Sequence, residues 1–144
     1  MKLLLYRFLF RQQWLCKLLG AVTPPVLVRL PEFKIYVRLN DFGVGLPIFL
    51  RRAYEPYVTT AICRFLKPGC VFVDIGANIG YHTLMAAARV GAGGSVIAFE
   101  PNPANCALLQ KSIAANGFGN IRVHPNAVAD HEGDVGLTRD AMDS

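Results

Sequence analysis

Two carboxylates and two glycines are the residues of this chain best placed to do chemistry. Asp74 lies near the end of the apolar run Val71-Phe72-Val73-Asp74-Ile75, and Gly76-Ala77-Asn78-Ile79-Gly80 follows at once. Glu100 closes a second apolar run, Val96-Ile97-Ala98-Phe99, about 26 residues beyond Asp74, and Pro101 and Asn102 come next. In an open α/β sheet, ligands bind outside the carboxyl ends of the strands. Both carboxylates are expected on that edge. Gly76 lets the chain turn sharply off its strand, and Gly80 lets the next helix approach without a Cβ clash. The helix start behind the loop would add free N–H groups and positive dipole. An acidic residue about 20 residues beyond a Gly-rich turn suits ribose hydroxyls.

Charge then separates two cofactors. A nicotinamide dinucleotide favours Gly-x-Gly-x-x-Gly, whose second Gly admits the pyrophosphate. Asn78 stands at that position. A carboxylate such as Asp74 repels a diphosphate but suits an ammonium or sulfonium. S-adenosylmethionine carries both cations and no phosphate, so the residues favour it over NAD. Methyl transfer depends mainly on positioning. His82 is tempting as a base, because a neutral imidazole can take a hydroxyl proton near pH 7. Its place in the first turn of a helix favours a bordering role instead. No catalytic base is assigned, and no cluster has metal-ligand spacing.

The elements that must position these groups follow from the pattern around them. Cys70–Ile75, Ser95–Glu100 and Asn120–His124 read as parallel strands, the first covered on both faces. Ile79–Val90 is an Ala-rich helix stopped by Gly91. A second helix starts at Asn102, a good N-cap with Pro103 in the first turn, and stops at Asn116-Gly117. Right-handed crossovers order the three strands 3-2-1, one half of a Rossmann-like doubly wound sheet. The remaining strands of such a sheet are expected beyond Ser144, which would make this the N-terminal part of a longer protein. Upstream, the prolines Pro24, Pro25 and Pro31 mark Ala21–Pro31 as an extended connector. Phe33–Leu39 alternates as a half-exposed strand, with Asn40–Gly43 as a turn and Val44–Leu46 as the return strand of a hairpin. Ile48–Phe65 reads as helix, broken at Pro56. A turn at Asp130–Gly133 and a short strand at Val135–Thr138 end the pattern.

Composition sets the outer bounds. With 53% hydrophobic and 17% charged residues among 144, the chain must bury a core. Cys16, Cys63, Cys70 and Cys106 are scattered, which points to reduced thiols in a reducing, cytoplasmic compartment. Residues 1–19 are apolar but punctured by Lys2, Arg7, Arg11 and Lys17. That rules against a spanning helix or a signal peptide and predicts an amphipathic helix. Such a helix packs on its own domain or lies on an anionic membrane surface. Dispersed basic residues give no nucleic-acid groove.

Phe72–Leu84 (FVDIGANIGYHTL), Ala98–Pro103 (AFEPNP), Asn105, Asn116, Asn120 and Asn126–Asp130 with Gly133 resemble the first half of the FkbM-type methyltransferases, of the class I S-adenosylmethionine-dependent superfamily. The likeness runs from about Tyr54 to Leu137. Tyr54-Glu55-Pro56 and Leu66-Lys67-Pro68-Gly69 match its lead-in. Residues 1–31 read as a basic amphipathic leader and Pro-rich connector, and 32–144 as the N-terminal part of the methyltransferase-like domain. The resemblance implies S-adenosylmethionine as cofactor, with methyl transfer to a hydroxyl of a sugar, polyketide or related small molecule. By position, Asp74 and Gly76 line the amino-acid end of the cofactor, and Ala77, Asn78 and Gly80 form the loop beneath it. Glu100 holds the ribose, Pro101 and Asn102 border the adenine, and Asn126 is either an adenine contact or a turn residue.

Two alternatives keep their own signatures. An NAD-binding oxidoreductase half must tolerate Asn78. A non-catalytic interaction or peripheral membrane protein would act through the basic leader. A half sheet also predicts an open edge, an uncovered apolar face and homodimerisation.

Overall fold

The structure is a computed structural model that describes residues 23–131, 133–134 and 136. The leader helix expected over residues 1–19 lies outside the described residues. So does all but Gly136 of the strand expected at Val135–Thr138.

The chain enters through a hairpin. Strand β1 (Val26–Arg29) pairs antiparallel with β2 (Lys34–Val37), with Val26 opposite Val37. The Leu30 N–H closes the turn on the Phe33 carbonyl at 2.8 Å. Pro31 sits inside this turn, where its fixed φ is an advantage. The expected extended connector therefore contains a strand, and the partner of β2 lies upstream rather than at Val44–Leu46. Asp41 explains why Val44–Leu46 takes another path. Its Oδ1 accepts from the N–H groups of Gly43 and Val44 at 3.1 and 2.9 Å, and Oδ2 from Gly45 at 2.9 Å. Such donors are left unsatisfied at a helix start. Helix α1 (Gly45–Arg51) begins there. A Cβ on Gly45 would lie 2.3 Å from the Arg38 carbonyl oxygen, so the approach requires glycine.

Helix α2 (Pro56–Phe65) follows a break in which Arg52 and Glu55 both take left-handed backbone, at φ 59° and 41°. Pro56 opens the helix, as its missing N–H allows. Next comes the parallel sheet: β3 (Val71–Ile75), α3 (Tyr81–Val90), β4 (Ser95–Phe99), α4 (Pro103–Asn116) and β5 (Ile121–His124). The strand order is β3-β4-β5, so the expected 3-2-1 half sheet is present. Asn102 caps α4 through its Oδ1, which accepts from Ala104 N–H at 2.9 Å. Gly117 ends the helix at φ 69°.

The core lies where the hairpin meets the helices. Val28, Ile35 and Val37 pack with Ile48, Leu84 and Leu109, all buried. Each such side chain contributes about 1.5–3 kcal/mol relative to exposure. The hairpin is also hydrogen-bonded to α4. Lys34 N–H donates to Asn116 Oδ1 at 2.8 Å, and Asn116 Nδ2 donates back to the Lys34 carbonyl at 2.7 Å. Tyr36 N–H donates to the buried Ser112 hydroxyl at 2.9 Å. These side chains satisfy the strand edge that no third strand pairs.

One face of the parallel sheet is open. Val71, Val73 and Ile75 are 65%, 49% and 64% exposed, and among the described residues β3 pairs with β4 alone. The expectation that β3 is covered on both faces fails among the described residues, because α3 and α4 both pack on the other face. The predicted open edge and apolar face are therefore present.

Candidate functional site

The β3–α3 loop is built by its own hydrogen bonds. Gly76 and Ala77 N–H both donate to the Phe99 carbonyl, at 2.9 and 3.0 Å. Asn78 N–H donates to Glu100 Oε2 at 2.7 Å. Ile79 N–H donates to Asn78 Oδ1 at 2.7 Å, and Gly80 N–H to the Ala77 carbonyl at 2.8 Å. All five N–H groups of the loop are thus used within the chain. The donors expected at the helix start lie beyond the loop, at Tyr81, His82 and Thr83, where no side chain caps the helix. The loop's own N–H groups are not available to a diphosphate.

Three positive φ values shape the loop: Gly76 at 78°, Asn78 at 52° and Gly80 at 91°. A Cβ on Gly80 would lie 2.2 Å from Leu109 Cδ1, so the close approach expected at this glycine is to the side chain of α4.

Both carboxylates stand beside the loop, on adjacent strands. Asp74 Oδ2 accepts from the Thr83 hydroxyl at 2.5 Å, and Thr83 is fully buried in the first turn of α3. Glu100 is only 6% exposed. Besides Asn78, it accepts at Oε1 from Asn102 N–H at 2.9 Å and Asn105 Nδ2 at 3.4 Å. Glu100 therefore joins the loop to the entrance of α4. Cys106 Sγ donates to the Glu100 backbone carbonyl at 3.0 Å, and burial followed by the Glu100 charge raises its thiol pKa.

A concavity of about 160 Å³ opens between the loop and the α1–α2 connection. Asp74, Gly76, Ala77, Asn78 and Gly80 line it from the sheet side, and Tyr54, Glu55 and His82 from the other. His82 borders this concavity, with its side chain 14% exposed. Its Nε2 lies 3.4 Å from Thr59 Oγ1 and its Nδ1 4.0 Å from Glu55 Oε2. Burial lowers its pKa below the ordinary 6.5, opposed by Asp74 and then Glu55. The ring is neutral near pH 7. Tyr54 meets Tyr81 edge-on at 5.7 Å between ring centres. Burial, then Glu55 and Asp41, raise the Tyr54 pKa and keep its phenol protonated. The lining contains two carboxylates and no Lys or Arg, so its electrostatics suit a cation.

A second concavity, about 210 Å³, shares Asn78 and Ile79 and reaches Asn102, Asn105 and Arg38. Asn102 thus borders the site from beyond Glu100. Pro101 is half-buried beside it, and Asn126 is exposed and lines neither concavity. Tyr81 is buried and Tyr54 lines the site, whereas Tyr57 is 91% exposed. A wider concavity of about 580 Å³ lies at the other end of the strands, between Gly91–Ser95 and Gly117–Asn120. It holds Arg122 but no carboxylate or imidazole, and Asn120 spans its wall by donating to the Ala87 and Gly91 carbonyls.

The methyltransferase FkbM domain family matches residues 74–141, from the first carboxylate through both concavity-lining segments of the sheet. Over that stretch the chain is similar to the methyltransferase FkbM domain. Solved structures agree on the fold. TYW2 of P. horikoshii, in complex with MeSAdo, is 19% identical with a TM-score of 0.54, over 76% of this chain and 38% of that one. TYW2 of M. jannaschii, in complex with AdoMet, is 19% identical with a TM-score of 0.51, over 74% and 43%. A SAM-dependent methyltransferase from Agrobacterium tumefaciens is 16% identical with a TM-score of 0.51, over 74% and 33%. The chain spans less than half the length of each of these structures. No curated protein matches it significantly.

Asp74 and the loop line the smaller concavity, and Glu100, which lines neither, is bonded to that loop through Asn78 N–H. Tyr54, Glu55 and Thr59 come to the site from α2 and its lead-in. The signal for them was local: Pro56 after Glu55 marks a helix start, but nothing in the pattern says which strand end that start faces.

Proposed function

We propose that this FkbM-like domain binds S-adenosylmethionine at the 74–82 concavity and supports methyl transfer to a hydroxyl oxygen of a small molecule. The observation that carries the reading is the pairing of an anionic lining with a loop whose N–H groups are already spent. That arrangement suits a cationic, phosphate-free nucleoside and disfavours a dinucleotide.

The cofactor supplies an activated methyl group on a sulfonium; the chain supplies position and charge. Asp74 Oδ1 faces the amino-acid end, while Thr83 fixes the other oxygen and with it the carboxylate plane. Gly76, Ala77, Asn78 and Gly80 give a floor with few side-chain atoms. Glu100 meets the ribose through the acceptor capacity left at its oxygens after the Asn78 and Asn102 N–H groups are bound. Pro101 and Asn102 border the adenine, with Asn126 further out. A hydroxyl acceptor would enter from the Tyr54–His82 wall, and its proton would leave to solvent water as it takes the methyl group. The 1–19 leader adds contact with an anionic membrane surface on the same reading of its charge pattern. Among the described residues no helix is long and apolar enough to cross a membrane.

Calorimetric titration with S-adenosylhomocysteine tests the reading. Binding that is lost in Glu100→Ala and Asp74→Asn supports it; a folded chain that gives no binding heat overturns it.

A further inference from the structure

Resting on the methyl-donor reading above, we propose that Glu55 is a second carboxylate of the cofactor site, facing Asp74 and holding the ammonium group of the cofactor's amino-acid end.

The argument begins with hydrogen-bond capacity. An ammonium presents three donors. Asp74 Oδ2 is committed to the buried Thr83 hydroxyl, which leaves Oδ1 as its free oxygen. Three donors that diverge in space call for acceptors from more than one side, and the opposite wall of the same concavity carries Glu55.

Geometry fixes Glu55 there. Its backbone is left-handed, at φ 41° and ψ 66°, directly before Pro56. A non-glycine residue adopts this conformation at a cost, and a following proline disfavours it further. Local bonds hold it: Thr59 N–H donates to the Glu55 carbonyl and the Thr59 hydroxyl to the Tyr54 carbonyl, each at 2.9 Å. These bonds fix the backbone that carries Glu55, whose side chain is 48% exposed and forms no ion pair with a Lys or Arg among the described residues. Its distance to His82 Nδ1 is 4.0 Å, beyond a hydrogen bond, and burial keeps that ring neutral. Asp74 and Glu55 both line this one small concavity, and His82 shares the lining. No Lys or Arg lines it. A ligand cation is the complement that this arrangement lacks.

The experiment compares two ligands on the full chain by calorimetry. S-adenosylhomocysteine carries the amino-acid tail; 5′-methylthioadenosine has the same nucleoside and sulfur but no tail. In Glu55→Gln, affinity for the first is expected to fall about ten- to a hundredfold, as for loss of a charged hydrogen bond. Affinity for the second is expected to stay within about twofold. Glu55→Asp keeps the charge and is expected to fall between wild type and Gln for the tailed ligand only. It also serves if the Gln variant does not fold. Equal losses for both ligands, or no loss for either, overturn the assignment. A wild-type chain that binds neither ligand overturns the methyl-donor reading itself.

Discussion

Glu100 Oε2 accepts the backbone N–H of Asn78 at 2.7 Å, which ties the end of β4 to the loop that leaves β3. Through Oε1 the same carboxylate accepts from Asn102 N–H at 2.9 Å, at the entrance of α4. Glu100 therefore has a structural role even without ligand. Glu100→Ala leaves two half-buried N–H donors without acceptors, and a loss of about 2–4 kcal/mol is expected. Glu100→Gln is no conservative change here, because its amide NH₂ must face one of the two donors. Urea denaturation of the ligand-free protein checks both variants. An unchanged midpoint in each would show that the loop stands without this carboxylate.

Asn78 is held in left-handed backbone at φ 52°, and its own Oδ1 accepts from Ile79 N–H at 2.7 Å. Asn tolerates this conformation better than most residues. Asn78→Ala loses the tolerance and the acceptor together, for about 1–2 kcal/mol. Asn78→Gly recovers the backbone freedom and should lie within about 1 kcal/mol of wild type. Equal destabilisation by Ala and Gly would show that the backbone angle is not what the position selects.

Gly80→Ala is expected to cost more than either. The new Cβ would meet Leu109 Cδ1 at 2.2 Å, and the residue would also sit at φ 91°. Overpacking of this kind costs about 1–3 kcal/mol before the backbone term is added. Leu109 is fully buried, so it cannot swing into solvent. The added cost of Gly80→Ala should shrink in a Leu109→Ala background, which a double-mutant cycle reads directly. Additive effects would mean that the two residues do not press on each other.

The parallel half sheet was legible because each of its signals is local. Asp74 and Glu100 end apolar runs, Asn102 and Pro103 start a helix, and Gly117 stops it. The hairpin was half legible. Lys34–Val37 alternates clearly, but Val26–Arg29 was hidden by flanking prolines that in fact bound the hairpin and its turn. Asp41 shows why the return strand was misplaced: its carboxylate gathers three N–H groups and starts a helix where alternation suggested a strand. The Lys34–Asn116 pair joins residues far apart in sequence and has no local signature. At the site, the positions of the carboxylates could be read, but not their partners. Nothing near Glu100 in sequence says that Asn78 N–H reaches it. Likewise, an apolar run such as Val71–Ile75 does not say whether one face is covered or two.

His82 makes the stability of the fold depend on pH in a direction that can be stated. Burial disfavours the imidazolium, and this outweighs the attraction of Asp74 and Glu55, so the folded-state pKa lies below the ordinary 6.5. The folded protein therefore binds this proton less readily than the unfolded chain does. The stability associated with the neutral ring is complete above about pH 6.5, and it is lost as pH falls through the lower folded-state value. Urea midpoints are expected to fall between about pH 7.5 and pH 5 in the wild type. His82→Gln, which keeps a polar group between Thr59 and Glu55 but cannot ionise, should reduce that fall. Because Glu55 lies 4.0 Å from the ring, the double variant with Glu55→Gln separates burial from charge. Removing the carboxylate should lower the His82 pKa further and steepen the loss at acid pH in the His82-containing protein alone. A pH profile that His82→Gln leaves unchanged would mean that the ring is solvated in the native state, contrary to its place in the wall of the site.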